Sequence, residues 1–165
     1  QGSPAHLKAI RAAVDLPLLR KDFVIDERQI SEAIEWGADA VLLIVAILDD
    51  AKLARFYELA SGAGLSVLVE VHDALELQRA QVINAPLIGV NNRNLKDFTV
   101  DLAVTESLAS RMDLQQTLLV SESGIDSRTD VKRLIACGAR AILVGESLMR
   151  EDDISAKVRT LGGQP

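Results

Sequence analysis

The chain has 165 residues, of which 48% are hydrophobic and 25% charged, a balance ordinary for one folded soluble domain. Its 18 Lys and Arg against 24 Asp and Glu leave a formal charge of -6, with the basic residues scattered rather than gathered in a stripe, which argues against a nucleic-acid partner. No apolar run approaches the roughly 18 residues of a membrane span, and Gln1-Gly2-Ser3-Pro4 has neither the basic nor the apolar region of a secretion signal, so neither a membrane nor a secreted protein is expected.

From the N-terminus, Ser3-Pro4 opens a helix that runs to about Val14, with proline in the first turn, where its missing N–H costs nothing. Apolar blocks of strand length then recur at 16–20, 40–44, 66–71, 87–91, 117–122 and 141–145. Between them lie segments of helical periodicity. Leu53, Phe56, Tyr57 and Ala60 build one apolar face, and Val131, Leu134 and Ile135 another. Asp50, Asp73, and Asp126 or Ser127 are the N-cap candidates; Gly37, Gly62 or Gly64, and Gly138 are the helix stops. Trp36, one residue before a stop, is expected to pack its helix on a neighbour, and Asp49-Asp50 to serve as caps.

The strand-to-strand spacing of roughly 21 to 31 residues suits βαβ crossovers, giving a doubly wound sheet or a (βα)8 TIM barrel. Two features argue for the barrel: polar residues cluster at the C-terminal end of nearly every strand, and no glycine-rich dinucleotide fingerprint follows the first strand. The α/β fold expected is therefore a TIM barrel truncated to six βα units, one partial-barrel domain over residues 1–165. Only five residues are aromatic, so the core must be aliphatic. Cys137, the single cysteine, excludes an intrachain disulfide, suits a reducing compartment, and reads as a small buried apolar residue rather than a nucleophile.

The strand ends carry the chemistry. Arg20-Lys21-Asp22 follows the first strand, Glu70 and His72 lie at the third, and Asn91-Asn92-Arg93 at the fourth. Ser121-Glu122-Ser123-Gly124 closes the fifth, and Gly145-Glu146-Ser147 the sixth. In a barrel these ends meet at one mouth, where Lys21, Glu70 and Glu122 offer acid and base groups. Ser123-Gly124 and Gly145-Glu146 suit a phosphate, because glycine lets backbone amides come close to an anion. His72 is expected in a loop or behind the site and His6 on the leading helix. No His, Cys and carboxylate set has ligand spacing, so no metal is expected.

The blocks Leu18-Leu19-Arg20-Lys21-Asp22-Phe23, Leu68-Val69-Glu70-Val71-His72, Ile88-Gly89-Val90-Asn91-Asn92-Arg93-Asn94-Leu95, Val120-Ser121-Glu122-Ser123-Gly124-Ile125 and Leu143-Val144-Gly145-Glu146-Ser147-Leu148-Met149 resemble the successive strand motifs of indole-3-glycerol-phosphate synthase. The resemblance implies a carbon-carbon lyase of tryptophan biosynthesis that uses no cofactor. It would close the ring of 1-(2-carboxyphenylamino)-1-deoxyribulose 5-phosphate with loss of carbon dioxide and water. By similarity Lys21 is the general acid, Glu70 takes part in proton transfer at dehydration, and Asn91, Arg93 and Glu122 hold polar groups of the substrate. Ser123, Gly124, Gly145 and Glu146 would cradle the phosphate, and Leu43 would line the aromatic pocket.

Phosphoribosylanthranilate isomerase and the tryptophan synthase α-subunit share such a fold, but the lysine of Arg20-Lys21-Asp22-Phe23 followed by Leu68-Val69-Glu70-Val71-His72 argues against both. By the same resemblance the six strands are the third to eighth of the barrel, and the chain, which does not begin with Met, is expected to be cut or processed. The first strand, with a further catalytic Glu and Lys and a phosphate-binding Ser, would be absent. Open strand edges would follow, with self-association or a complementing N-terminal fragment as partners. The expected location is the cytoplasm, the expected ligand a phosphorylated small molecule, and the alternative a catalytically silent barrel fragment.

Overall fold

The computed structural model describes residues 2–163, arranged as two compact units: one built from the residues up to Glu70 with Arg79–Ala85, the other from Val71–Gln78 with the residues from Pro86 onward. In the first unit α1 (Pro4–Ala13) starts as expected, with Ser3 as N-cap accepting the His6 amide and proline in the first turn. It is followed by β1 (Leu19–Arg20), α2 (Arg28–Glu35), β2 (Ala40–Ile44), a 3-10 turn (Val45–Ile47), α3 (Asp50–Gly62) and β3 (Ser66–Val71). β1 pairs in parallel with β2, and β2 with β3, in the register Leu19↔Ala40↔Ser66 through Ile44↔Glu70.

β1 is two residues long where five were expected. Pro17 has no N–H to give to a ladder and restricts the residue before it. The carbonyls of Val14 and Leu16 instead accept from the Arg11 guanidinium, at 2.6 and 3.0 Å, so this stretch is a helix-to-strand connection. Asp39 finishes the junction, its Oδ2 accepting from Leu18 N at 2.6 Å and from Arg11 at 2.8 Å. The cap of α3 also moves by one residue: Asp49 accepts the Lys52 amide, and Asp50 pairs instead with Arg79.

In the second unit β4 (Leu87–Asn91), α5 (Ala103–Ala109), β5 (Leu118–Glu122), α6 (Arg128–Ala136), β6 (Ala141–Leu143), α7 (Glu146–Met149) and α8 (Ile154–Gly162) follow in order, and α4 (Ala74–Val82) contributes residues to both units. β4 pairs in parallel with β5, and β5 with β6. Ser127, not Asp126, caps α6, in a reciprocal box with Asp130. Gly37, Gly64 and Gly138 end α2, α3 and α6 at positive φ. β6 stops at Leu143, two residues short of expectation, because Gly145 is already the N-cap of α7.

The fold class is the expected one: an α/β chain of six parallel strands alternating with helices, a TIM barrel represented by six of its βα units. Its cores are aliphatic, as the scarcity of aromatics required. Val41 to Val45 on β2 and the adjoining turn are at most 5% exposed, and Leu53, Phe56 and Ala60 of α3, spaced by three and four, are buried as well. In the second unit Ile88, Val90 and Leu119 are buried with Leu108, Val131 and Leu134 of α5 and α6. Within its own unit β1 pairs with β2 alone, and β6 with β5 alone.

No helix among the described residues is long and apolar enough to cross a membrane. Cys137 is half-buried, and burial pushes its thiol up from the usual value.

Candidate active site

Because the strands of each unit are parallel and in register, their C-terminal ends lie at one edge, and the strand pleat decides which side chains look the same way. In the first unit Leu42, Ile44, Leu68 and Glu70 share one face of the ladder, whereas Val41, Leu43, Val67 and Val69 share the other. β1 continues the rule: Arg20, paired with Val41, turns toward the helices. Its guanidinium donates to the Gln29 carbonyl at 2.5 Å, meets Glu32 at 3.3 Å and lies 4.4 Å from the centre of the Trp36 ring. Lys21, one residue on, goes the other way, and its Nζ stands 3.6 Å from Glu70 Oε2.

The pair is asymmetric in burial, with the Glu70 side chain 2% exposed and that of Lys21 42% exposed. The ammonium thus reaches solvent while its carboxylate is buried at the end of the strand. Lys21 also lines a cavity of about 380 Å³ at the end of β1, with Ser3, His6, Ile10, Asp22 and Trp36 among its walls. Leu43 is not brought here. It is fully buried, on the face opposite Glu70, so the expectation that it lines a pocket is corrected: the period of two in the strand gives that face to Leu42 and Ile44.

In the second unit Asn91 and Glu122 are register partners at the ends of β4 and β5, 8% and 1% exposed, and Leu143 of β6 is the next partner in the row. The Asn91 Oδ1 accepts the Arg93 amide at 3.0 Å. Arg93 is held across the loop by an antiparallel bridge to Val100, and its guanidinium donates to Glu146 Oε2 at 2.5 Å. Glu146 also accepts from Arg150. The Glu146 carboxylate is thus turned to two cations, so only the backbone of Gly145-Glu146 could serve an anion.

The two glycine segments differ in their reason for being glycine. At the end of β5, Ser123 and Gly124 are consecutive left-handed residues with φ of 64 and 73. A Cβ on Gly124 would lie 2.1 Å from Val100 Cγ1, so both conformation and packing demand glycine there. Ser123 has no such licence, and a non-glycine residue in this region costs about 1 kcal/mol or more, strain of a kind that gathers at functional sites. Gly145 has φ -126, and a Cβ there would meet nothing within 4 Å. Neither folding nor packing requires this glycine, and it leaves its backbone approachable from outside.

The sequence motifs included three residues to which no role was attached. The Ser147 Oγ, two residues past Gly145, is buried without a hydrogen-bond partner among the described residues. Asn92 and Ser121, adjacent to Asn91 and Glu122 but on the opposite face, join Thr105 of α5 in a buried polar cluster. Only Thr105 lay outside every motif, and a lone threonine in a helix carries no signal in the sequence. His72 is half-buried, with Nδ1 2.9 Å from Glu76 Oε2, and His6 is exposed on α1. Among the described residues no three or more His, Cys, Asp or Glu side chains stand together as metal ligands would.

The family model described as indole-3-glycerol phosphate synthase matches residues 1–161. The chain is 52% identical over 161 residues to the indole-3-glycerol phosphate synthase of Azospirillum brasilense, covering 98% of this chain and 61% of that protein. It is 50% identical over 161 residues to the protein of that name from Neisseria gonorrhoeae (strain NCCP11945), with the same coverage. To that of Roseiflexus sp. (strain RS-1) it is 52% identical over 170 residues, covering 99% of this chain and 63% of the relative. The chain thus spans about three-fifths of the length of these curated relatives.

Proposed function

The chain belongs to the indole-3-glycerol phosphate synthase family, and from that premise we propose that it carries the ring-closing lyase site of such an enzyme, acting on 1-(2-carboxyphenylamino)-1-deoxyribulose 5-phosphate. The observation that carries the reading is the Lys21–Glu70 pair at 3.6 Å, an exposed ammonium beside a buried carboxylate at the ends of two parallel strands.

Condensation of the aryl carbon with the ribulose carbonyl builds negative charge on the carbonyl oxygen. An ammonium aimed at that oxygen stabilises the transition state more than the ground state, and can then deliver its proton. Lys21 has the reach and the solvent access for this task. Loss of the carboxyl group as carbon dioxide returns the electron pair to the ring, and dehydration then needs one group to take a proton and another to give one to the departing hydroxyl. Glu70, fixed in its strand and 3.6 Å from the lysine, is suited to the proton transfer of that step.

Asn91 and Glu122 hold polar groups of the substrate, and Arg93, once released from Glu146, pairs with a carboxylate. The amides of Ser123 and Gly124 and of Gly145 and Glu146 receive the phosphate, with Ser147 Oγ as a further donor. The reaction needs proton transfers and positioning, which these side chains supply; no cofactor enters the scheme. We read the chain as cytoplasmic, supported by its single cysteine and by the biosynthetic role of the family.

The single-sided pairing of β1 and β6 within their units supports a further part of the proposal: added strands, from a second copy or from a complementing N-terminal segment, complete the enzyme. The test is an assay for indole-3-glycerol phosphate by the chain alone and with the N-terminal third of a family member supplied separately. Turnover that rises on addition and is lost in Lys21→Ala supports the reading. Absence of product in both arms argues for the silent fragment.

A further inference from the structure

Behind Asn91 and Glu122, on the helix-facing side of β4 and β5, lies a closed ring of three buried polar residues. Asn92, Thr105 and Ser121 are 2%, 0% and 0% exposed. The Thr105 amide donates to Asn92 Oδ1 at 3.2 Å, which fixes the orientation of the carboxamide. The Thr105 hydroxyl must then donate to the same oxygen, at 2.7 Å, because that oxygen can only accept. Ser121 Oγ, 2.8 Å from Thr105 Oγ1, is left as donor to Thr105 and as acceptor from Asn92 Nδ2 at 3.0 Å. Every proton in the ring has one consistent direction, and such a network rigidifies what it touches.

What it touches is the backbone that aims the candidate site. Asn92 Nδ2, its two protons shared among three acceptors, also donates to the carbonyls of Glu122, at 2.9 Å, and Ser123, at 3.1 Å, and the Asn92 amide donates to the Glu122 carbonyl at 2.9 Å. These two carbonyls flank the left-handed Ser123. The strained residue is thus gripped on both sides by one carboxamide. The bonds to the Glu122 carbonyl hold the backbone from which the Glu122 side chain leaves, and the conformation of Ser123 sets where the Ser123 and Gly124 amides point.

We propose that Asn92 and Thr105 are positioning residues: through the ring with Ser121 they hold the end of β5 in the left-handed turn that aims the Glu122 carboxylate and the Ser123 and Gly124 amides at substrate. This rests on the reading above that Glu122, Ser123 and Gly124 face substrate. Neither Asn92 nor Thr105 touches substrate itself. A backbone displacement of about 1 Å at a reacting group is enough to cost about 10²-fold in rate.

The experiment uses the isotopically labelled chain, with Thr105→Val, Asn92→Asp and Thr105→Ser. Thr105→Val keeps shape and removes one hydroxyl; Thr105→Ser restores the hydroxyl. The expected result is that the amide resonances of Ser123 and Gly124, and the Ser123 amide-to-α coupling that reports its φ, change in Thr105→Val and Asn92→Asp and return in Thr105→Ser. In the synthase assay kcat falls by about 10²-fold in the first two variants, KM rises as the Ser123 and Gly124 amides lose their aim at the phosphate, and Thr105→Ser recovers both. If Asn92→Asp does not fold, Thr105→Val decides the question. A folded Thr105→Val that melts lower but keeps wild-type Ser123 resonances and kcat overturns the proposal, because that is the outcome of a purely structural ring. If the wild-type chain makes no product in either arm of the assay, the function assigned above has failed, and the resonances alone decide whether the ring sets the turn.

Discussion

Lys21 Nζ stands 3.6 Å from Glu70 Oε2, joining a residue just past the end of β1 to one near the end of β3, with β2 between them in the sheet. The contact depends on the parallel register: Glu70 is level with Ile44, and the strand pleat sends Lys21 to that face and Arg20 to the other. With one partner exposed and screened by solvent, the ion pair adds little to stability. Under the proposed function its value is chemical.

Lys21→Ala should therefore remove most of the synthase turnover, by about 10²-fold or more, while the melting temperature stays within a few degrees of wild type. Initial rates of indole-3-glycerol phosphate formation, set beside a thermal melt, check both halves. Wild-type turnover in this variant would remove the lysine from the chemistry.

Gly124 and Gly145 separate folding from binding. Gly124→Ala places a methyl group 2.1 Å from Val100 Cγ1 at a positive φ, and should destabilise the protein by about 2–4 kcal/mol in urea unfolding. Gly145→Ala meets nothing within 4 Å and has a φ open to any residue, so its stability should stay within about 0.5 kcal/mol of wild type. Its affinity for inorganic phosphate, followed by titration, should nevertheless fall, since the added methyl occupies the approach to the backbone.

Arg93 is held 2.5 Å from Glu146, and Arg150 shares the same carboxylate. Glu146→Gln removes a competitor for Arg93 and a negative charge beside the Gly145 backbone. KM for the phosphorylated substrate should fall by about two- to fivefold, the scale expected of an exposed ion pair, and the difference should shrink at high salt. A raised KM would show instead that the carboxylate is needed to orient Arg93.

The capping box of α6 makes a pH-dependent contribution. Burial pushes the Asp130 carboxyl up, but hydrogen bonds from the Ser127 hydroxyl and from the Ser127 and Asp126 amides outweigh it and hold the group below its usual value. A carboxylate whose folded pKa is lowered adds stability that is present above its unfolded pKa, near 4, and is lost as pH falls through the folded value. Asp130→Asn should therefore cost about 0.5–1 kcal/mol at neutral pH and progressively less at a pH below the unfolded value. Urea unfolding at the two pH values measures the difference.

Much of the architecture is legible in the sequence, because strand and helix periodicity are local properties. The placing of six strands, the cap at Ser3 and the helix stops at Gly37, Gly64 and Gly138 all follow from residues within a few positions of one another. Local chemistry also limited what could be read. The bonds from Arg11 to the Val14 and Leu16 carbonyls shortened β1, and the cap of α3 moved from Asp50 to Asp49, shifts set by partners the periodicity does not contain.

The class of fold, the family, and the strand ends at which Lys21, Glu70, Asn91 and Glu122 stand are all written in short stretches of residues. Which neighbour of each faces the same way is not, and follows from strand pairing. Register put Ile44 rather than Leu43 on the side of Glu70, and sent Arg20 to Trp36 while Lys21 met the carboxylate. It also decided that Glu146 is turned to Arg93, and that Asn92 and Thr105 close a ring behind the end of β5. The physical reason is that a side chain's type is written at its own position, whereas its direction and its partners are set by pairing between strands far apart in the chain.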